Sequence, residues 1–159
     1  KKGELLSIAA VRVKGGEIRL SQALDLVVNS NAITDPDAVR VHYLRREDRH
    51  KGVAVSEAIE NLLDFVGNRP IVGYYIDYDR AILNRYIRQL YNFELPNRFI
   101  DVADLYTLKK RRVHPQMPVG LKFEDIAEDL KVPVIERHTA MGDVISTALM
   151  YIKLVHFKR

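Results

Sequence analysis

PIVGYYIDYDRAIL, residues 70–83, sets the fold class. Residues 70–76 are a short run of apolar and aromatic side chains, the composition of a buried strand. Beyond it, Ile82, Leu83, Tyr86, Ile87 and Leu90 recur at helical spacing on one face. A strand that passes directly into a helix is the repeating unit of α/β proteins. In such sheets, sites collect at the carboxyl ends of strands, and Asp79 stands at this junction. Two readings of Asp79 remain open from position alone. A carboxylate in the first turn of a helix is favoured by the helix dipole and needs no further role. The same carboxylate is also well placed to bind a ligand.

Working outward, Val55, Ala58, Ile59, Leu62, Leu63 and Val66 predict a helix over residues 55–66, with Ser56 as an early cap. Gly67-Asn68 supplies a left-handed C-terminal cap. Downstream, residues 98–102 read as a second short strand leading into a helix over 103–110. Residues 123–130 form a short helix. A last helix runs from about 139 to 157, with Val144, Ile145, Ala148, Leu149, Ile152 and Val155 as its inward stripe. At the amino end, residues 4–13 and 17–28 read as a hairpin around Lys14-Gly15-Gly16-Glu17, followed by a turn-rich loop over 29–37. The predicted order is two strands, then α-β-α-β-α-α-α. This is an α/β fold with a mixed sheet flanked by helices, in one domain spanning residues 1–159.

Composition bounds the function. A chain of 159 residues, 47% hydrophobic and 29% charged, is long enough to bury a core. No apolar run approaches the roughly 20 residues of a membrane span, so no membrane partner is expected. The absence of Cys excludes disulfides and thiolate metal sites and agrees with a cytoplasmic location. Lys and Arg total 25 against 21 acidic residues, a mild excess that suits either solubility or a polyanionic partner such as nucleic acid.

RHTAMGDV, residues 137–144, holds a second polar pair, His138 and Asp143. Asp143 falls in the first turns of the last helix, and His138 lies just before it. His138 reads either as a surface loop residue or as a general base, the usual task of an imidazole that titrates near neutrality. Carboxylates are natural ligands of hard divalent cations, and two such cations suit phosphodiester cleavage. That chemistry needs about four carboxylates and a base; Asp79, Asp143 and His138 are two and a base. Tyr74, Tyr75 and Tyr78 read either as sheet residues or as platforms that stack bases of a single strand. Lys109-Lys110-Arg111-Arg112 and Arg45, Arg46 and Arg49 read as solvated cations or as phosphate contacts. His42, His50, His114 and His156 show no ligand spacing.

These stretches, in this order, resemble the DEDDh superfamily of 3'-5' exonucleases, the group of the DNA polymerase III proofreading (epsilon) subunit, ribonuclease T and oligoribonuclease. LLSIAAVRV is similar to the family's second strand. VGYYIDYDRAIL is similar to its Val-Gly-His-Asn-x-x-Phe-Asp-x-x-Phe-Leu block and sets Asp79, not Asp77, at the metal-binding position. HTAMGDV is similar to its His-x-Ala-x-x-Asp-Ala block, with His138 and Asp143 in register. FIDV, with Asp101, and VHYLRREDR resemble intervening segments. Tyr74 and Tyr75 stand where the family has His-Asn. The Asp-x-Glu block of the family's opening strand has no counterpart and is expected before Lys1. The resemblance implies a ribonuclease H-like fold and a 3'-5' exonuclease acting on single-stranded or 3'-ended DNA or RNA. It implies two Mg²⁺ or Mn²⁺ held by Asp79 and Asp143 with the acidic pair, His138 as base, and nucleoside 5'-monophosphate products. Tyr75 and Tyr78 become substrate-binding candidates, and a polymerase or a second copy becomes a possible partner. The alternative is a degenerate nuclease fold that binds nucleic acid or a polymerase without cutting. A third reading is a phosphoesterase of small nucleotides.

Overall fold

The computed structural model describes residues 4–29, 52–117, 122–136 and 138–156. Arg45, Arg46, Arg49, His42, His50 and the VHYLRREDR segment lie outside them, as does most of the loop expected over 29–37. Strands β1 (Ser7–Lys14) and β2 (Glu17–Val27) pair antiparallel, in register from Ser7↔Val27 to Lys14↔Glu17. Gly15 and Gly16 join them with φ of 59° and 81°, the paired positive values that a tight primed turn requires. The ladder is irregular between Val11 and Arg12. Arg12 there reaches across to the Phe65 carbonyl at 2.6 Å and covers the Phe65 ring at 4.8 Å.

A parallel bridge between Val28 and Val53 fixes the entry to helix α1 (Val55–Val66). Ala54 is left extended as the N-cap, and no side chain caps the helix, so the expected Ser56 cap is not made. Ser56 lies inside the first turn instead. Gly67 closes α1 at φ 52°, with its N–H donating to the Leu63 carbonyl, although its ψ of −128° lies outside the left-handed helical region.

β3 (Ile71–Gly73) and β4 (Phe99–Asp101) pair in parallel, with Gly73 opposite Asp101. β3 ends three residues earlier than its apolar run suggests. Tyr75 turns the chain with φ 48° and ψ 47°, and α2 (Ile76–Tyr91) starts at once. The β4 strand passes likewise into α3 (Val102–Val113). Helices α4 (Phe123–Leu130) and α5 (Ala140–His156) complete the order.

Two cores result. One packs β1 and β2 against α1 and α2 around Ile8, Ile59, Leu62 and Ile87. The other joins α3, α4 and α5 around Val102, Tyr106, Ile126 and Met150. The buried face of α5 is not the stripe of its largest apolar residues. Of the expected stripe, Ala148 is buried, Val144, Ile145, Leu149 and Ile152 are half-buried, and Val155 is 42% exposed; Gly142, Ser146, Met150 and Leu154 supply the rest of the buried face. Small residues at positions 142 and 146 allow the preceding loop to lie directly on the helix. Ser146 Oγ accepts from the Ile135 N–H and donates to the Pro133 carbonyl.

The basic end of α3 is tied into this second core. Lys109 donates to the Leu154 carbonyl, Lys110 pairs with Asp129 at 2.6 Å, and Arg111 donates to the Met117 carbonyl. These contacts favour the structural reading of that run. Among the described residues, the strands form two separate two-stranded sheets, and no helix is long and apolar enough to cross a membrane. Between the sheets lies a cavity of about 910 Å³.

Candidate active site

The cavity is bordered by residues 4–13 on one side and 70–74 on the other. Alternate side chains of a strand point to opposite faces. A strand that contributes consecutive residues therefore presents its edge, and β1 presents the edge that β2 does not occupy.

Asp79 enters the cavity from the first turn of α2. The turn that aims it is tightly built. A β-carbon on Gly73 would lie 2.3 Å from Ile76 Cδ1, because the Ile76 side chain folds back over that residue. Tyr74 packs edge-on against Phe123 at 5.2 Å and against Tyr75 at 4.6 Å. Asp79 as a residue is open to solvent, but the protein around its carboxyl desolvates it and raises its pKa. The charge of Asp101 raises it further. Asp104 is raised in the same sense by desolvation, then by Asp101 and Asp77. Negative charge is thus concentrated where β3 and β4 end, at the carboxyl ends favoured for ligands.

Asp143 enters the same cavity from the first turn of α5, with its Oδ1 buried. Thr139 caps this helix. Its Oγ1 accepts from the Gly142 N–H at 3.1 Å and donates to the Glu136 carbonyl at 2.7 Å. Gly142 is required by close approach, since a β-carbon there would stand 2.2 Å from the Ile135 oxygen and 2.6 Å from the Glu136 oxygen. His138 therefore occupies a loop pinned on both sides. It holds φ at 75°, a strained value for a residue with a side chain, and its imidazole belongs to an exposed residue.

The structure brings Asp79, Asp143 and Tyr78 to one cavity, and leaves His138 and Tyr75 outside its lining. Tyr78 is 61% exposed and Tyr75 46%. Sequence reasoning gave no role to Gly142, whose signal is a glycine inside a helical pattern. Asp101 stands directly before a helix, which is a capping signal. Oxygen ligands from two carboxylates suit a hard cation, and Mg²⁺ commonly takes one or two carboxylates and keeps several waters. Among the described residues, no group of three or more His, Cys, Asp or Glu is gathered tightly enough to cage an ion.

A family model described as exonuclease (RNase T) matches residues 1–151. The DNA polymerase III subunit epsilon of Aquifex aeolicus (strain VF5) is 27% identical over an alignment 159 residues long, which covers 98% of this chain and 73% of that protein. Among solved structures, cell-death related nuclease 4 (CRN-4) superposes with a TM-score of 0.68 at 18% identity over 98% of this chain. The chain spans 57% of the length of that nuclease. Pop2p of S. pombe, solved in an Mg²⁺- and Mn²⁺-bound form, superposes at 0.56 and 15% identity, covering 95% of this chain and 67% of its own. At these identities the two structures share the fold alone, and they bear out the ribonuclease H-like α/β reading.

Proposed function

The chain belongs to the exonuclease family matched over residues 1–151, and from that premise we propose a metal-dependent 3'-5' exonuclease that releases nucleoside 5'-monophosphates from DNA or RNA. The observation that carries this reading is the meeting of Asp79 and Asp143 in one cavity, from the first turns of two helices. On this reading the two carboxylates hold Mg²⁺ or Mn²⁺. Such ions, when bound, supply an activated water and neutralise charge on the phosphate. The raised pKa of Asp79 fits that role, because a bound cation favours the ionised carboxylate that desolvation, and then the charge of Asp101, disfavour.

His138, exposed just before α5, takes the proton of the attacking water at an imidazole nitrogen. Tyr78, exposed and lining the cavity, stacks on the terminal base, and Tyr75 extends that platform. The N-termini of α2 and α5 favour the phosphate that is cut.

The domain, on the same reading, is completed by a strand carrying an Asp-x-Glu pair that lies between β1 and β3. The supporting features are the two strand edges facing one cavity, since backbone groups that are buried require partners. The likeness to an epsilon subunit makes a polymerase a natural partner, and a second copy of the chain the alternative one.

A second reading, a nuclease fold that binds 3'-ended nucleic acid without cutting, draws support from His138 standing outside the cavity lining. The two are separated with full-length protein, Mn²⁺ and single-stranded oligonucleotides labelled at the 5' end. The exonuclease yields a ladder that shortens from the 3' end, releases nucleoside 5'-monophosphates, and leaves a mononucleotide ester largely uncut. Binding of the oligonucleotide with no shortening would establish the second reading instead.

A further inference from the structure

We infer that Asp101 is a positioning residue: through one carboxylate oxygen at the end of β4 it holds the left-handed turn at Tyr75, and thereby aims the first turn of α2 and Asp79. The functional half of this inference rests on the metal-binding role proposed for Asp79.

Three observations support it. First, β3 and β4 run parallel with Gly73 opposite Asp101, so Asp101 lies beside the chain just before the turn begins. Secondly, Asp101 Oδ1 accepts two backbone N–H groups from different elements. Ala103, in the first turn of α3, donates at 2.9 Å, and Tyr75, the N-cap of α2, donates at 3.1 Å. Capping α3 needs only the first of these bonds. The second ties the start of α2 to the end of β4.

Thirdly, the residue so held is strained. Tyr75 sits at φ 48° and ψ 47°, a region that residues with a β-carbon avoid and that Asn or Gly tolerates. The turn is also held by the Tyr78 N–H, which donates to the Tyr75 carbonyl at 3.2 Å, by Ile76 folded on Gly73, and by Tyr74 against Phe123. The Asp101 bond ties the N–H of the strained residue to the end of the neighbouring strand, and an anionic acceptor makes it a strong one. Without it the turn relaxes, and α2 starts from a different residue or at a different angle. Asp79 lies four residues along from Tyr75, about one helical turn, so any change there is passed on to its carboxylate.

The two roles of Asp101 separate by substitution. Ser caps a helix as well as Asp does but is one bond shorter, so Asp101→Ser keeps the α3 cap and loses Tyr75. Asp101→Asn keeps an oxygen at the same reach and loses the charge. In full-length protein, three quantities are measured: amide exchange at Tyr75, affinity for Mn²⁺ alone, and kcat and KM on a single-stranded oligonucleotide. In Asp101→Ser, Tyr75 exchange rises at least about tenfold and Mn²⁺ affinity and kcat fall about 10–100-fold, the range seen when a partner of a metal ligand is removed. KM moves by less than about threefold, and Asp101→Asn stays within about threefold of wild type on every measure, since ligand orientation is retained.

Wild-type exchange at Tyr75 in Asp101→Ser overturns the inference, as does an Asn variant as impaired as the Ser variant. If wild-type protein neither binds Mn²⁺ nor cleaves, the nuclease reading fails on its own. The turn is then still decided by Tyr75 exchange: protection lost in Ser and kept in Asn upholds it, and equal protection refutes it.

Discussion

Gly142→Ala probes how the His138 end of the site is held. Gly142 is buried in the first turn of α5, under the loop that precedes the helix. A β-carbon there would stand 2.2 Å from the Ile135 oxygen, 2.6 Å from the Glu136 oxygen and 2.6 Å from Thr139 Oγ1. Carbon–oxygen contacts settle at roughly 3.3 Å, so the Ile135 carbonyl must retreat by about 1 Å. Two of the three obstacles are backbone and cannot rotate away. The loop is also anchored, with the Ile135 N–H on Ser146 Oγ at 3.0 Å and the Glu136 carbonyl accepting from Thr139 N at 3.0 Å and Thr139 Oγ1 at 2.7 Å.

Ala is favoured over Gly inside a helix by about 1 kcal/mol. Against this stand overpacking, typically about 1–3 kcal/mol, and the weakening of two hydrogen bonds worth roughly 1 kcal/mol each. Destabilisation by about 1–3 kcal/mol is the expected balance. At roughly 2–4 °C per kcal/mol for a domain of this size, Tm falls by about 2–12 °C. His138 follows the displaced carbonyl of Glu136 by two residues. A shift of about 1 Å in a catalytic group can cost on the order of 100-fold in rate. Thermal unfolding and oligonucleotide cleavage, measured on one preparation, check both effects. A variant more stable than wild type and fully active would show that the loop has slack and that helix propensity governs. A destabilised variant with full activity would remove His138 from the chemistry.

Further outcomes follow from the charges. His138→Ala is expected to lower kcat about 10²–10⁴-fold with little change in Tm, as for loss of a general base; an unchanged rate refutes the role. Asp79→Asn is expected to stabilise the metal-free protein at neutral pH while abolishing Mn²⁺ binding. The sign follows from its raised folded-state pKa: ionisation favours the unfolded chain, so wild type loses stability as pH rises from about 3.8 through the folded value, and the variant does not. Unfolding curves from pH 3 to 7 test this, and parallel profiles for the two proteins would contradict it. Asp129 is the opposite case. Hydrogen bonds from Lys110, then Tyr106, hold its pKa below 3.8, so it stabilises the fold above that value and the contribution is lost as pH falls through the folded pKa. Asp129→Asn should therefore be less stable at pH 7 and show a shallower acid limb below about pH 4; an acid limb as steep as wild type would refute the assignment.

Much of this architecture is legible in the sequence because periodicity survives local detail. The stripes of α1 and α2 and the GG turn between β1 and β2 are read directly from residue spacing. Misreadings occur where backbone conformation or close approach overrides hydropathy. PIVGYYI reads as seven strand residues, but the left-handed Tyr75 ends β3 at Gly73. Ser56 has the chemistry of a cap, yet the Val28–Val53 bridge fixes the helix entry before it. On α5 the largest apolar residues suggest one face, while Gly142 and Ser146 bury another by admitting the loop. The Asp79 and Asp143 positions follow from motif order. Their meeting in one cavity is a tertiary fact that no local pattern contains. Nor does local pattern reveal that one oxygen of Asp101 serves two helices, since only β-strand register brings Gly73 beside it.

On the proposed function, Asp79 and Asp143 hold the cations of a nuclease. Anomalous diffraction from crystals of the full-length protein grown with Mn²⁺ decides this. A Mn²⁺ peak is expected in contact with the carboxylates of both Asp79 and Asp143, inside the cavity between β1 and β3. Peaks confined to Asp77 and Asp104, or a cavity that stays without metal while the protein cleaves, would contradict it.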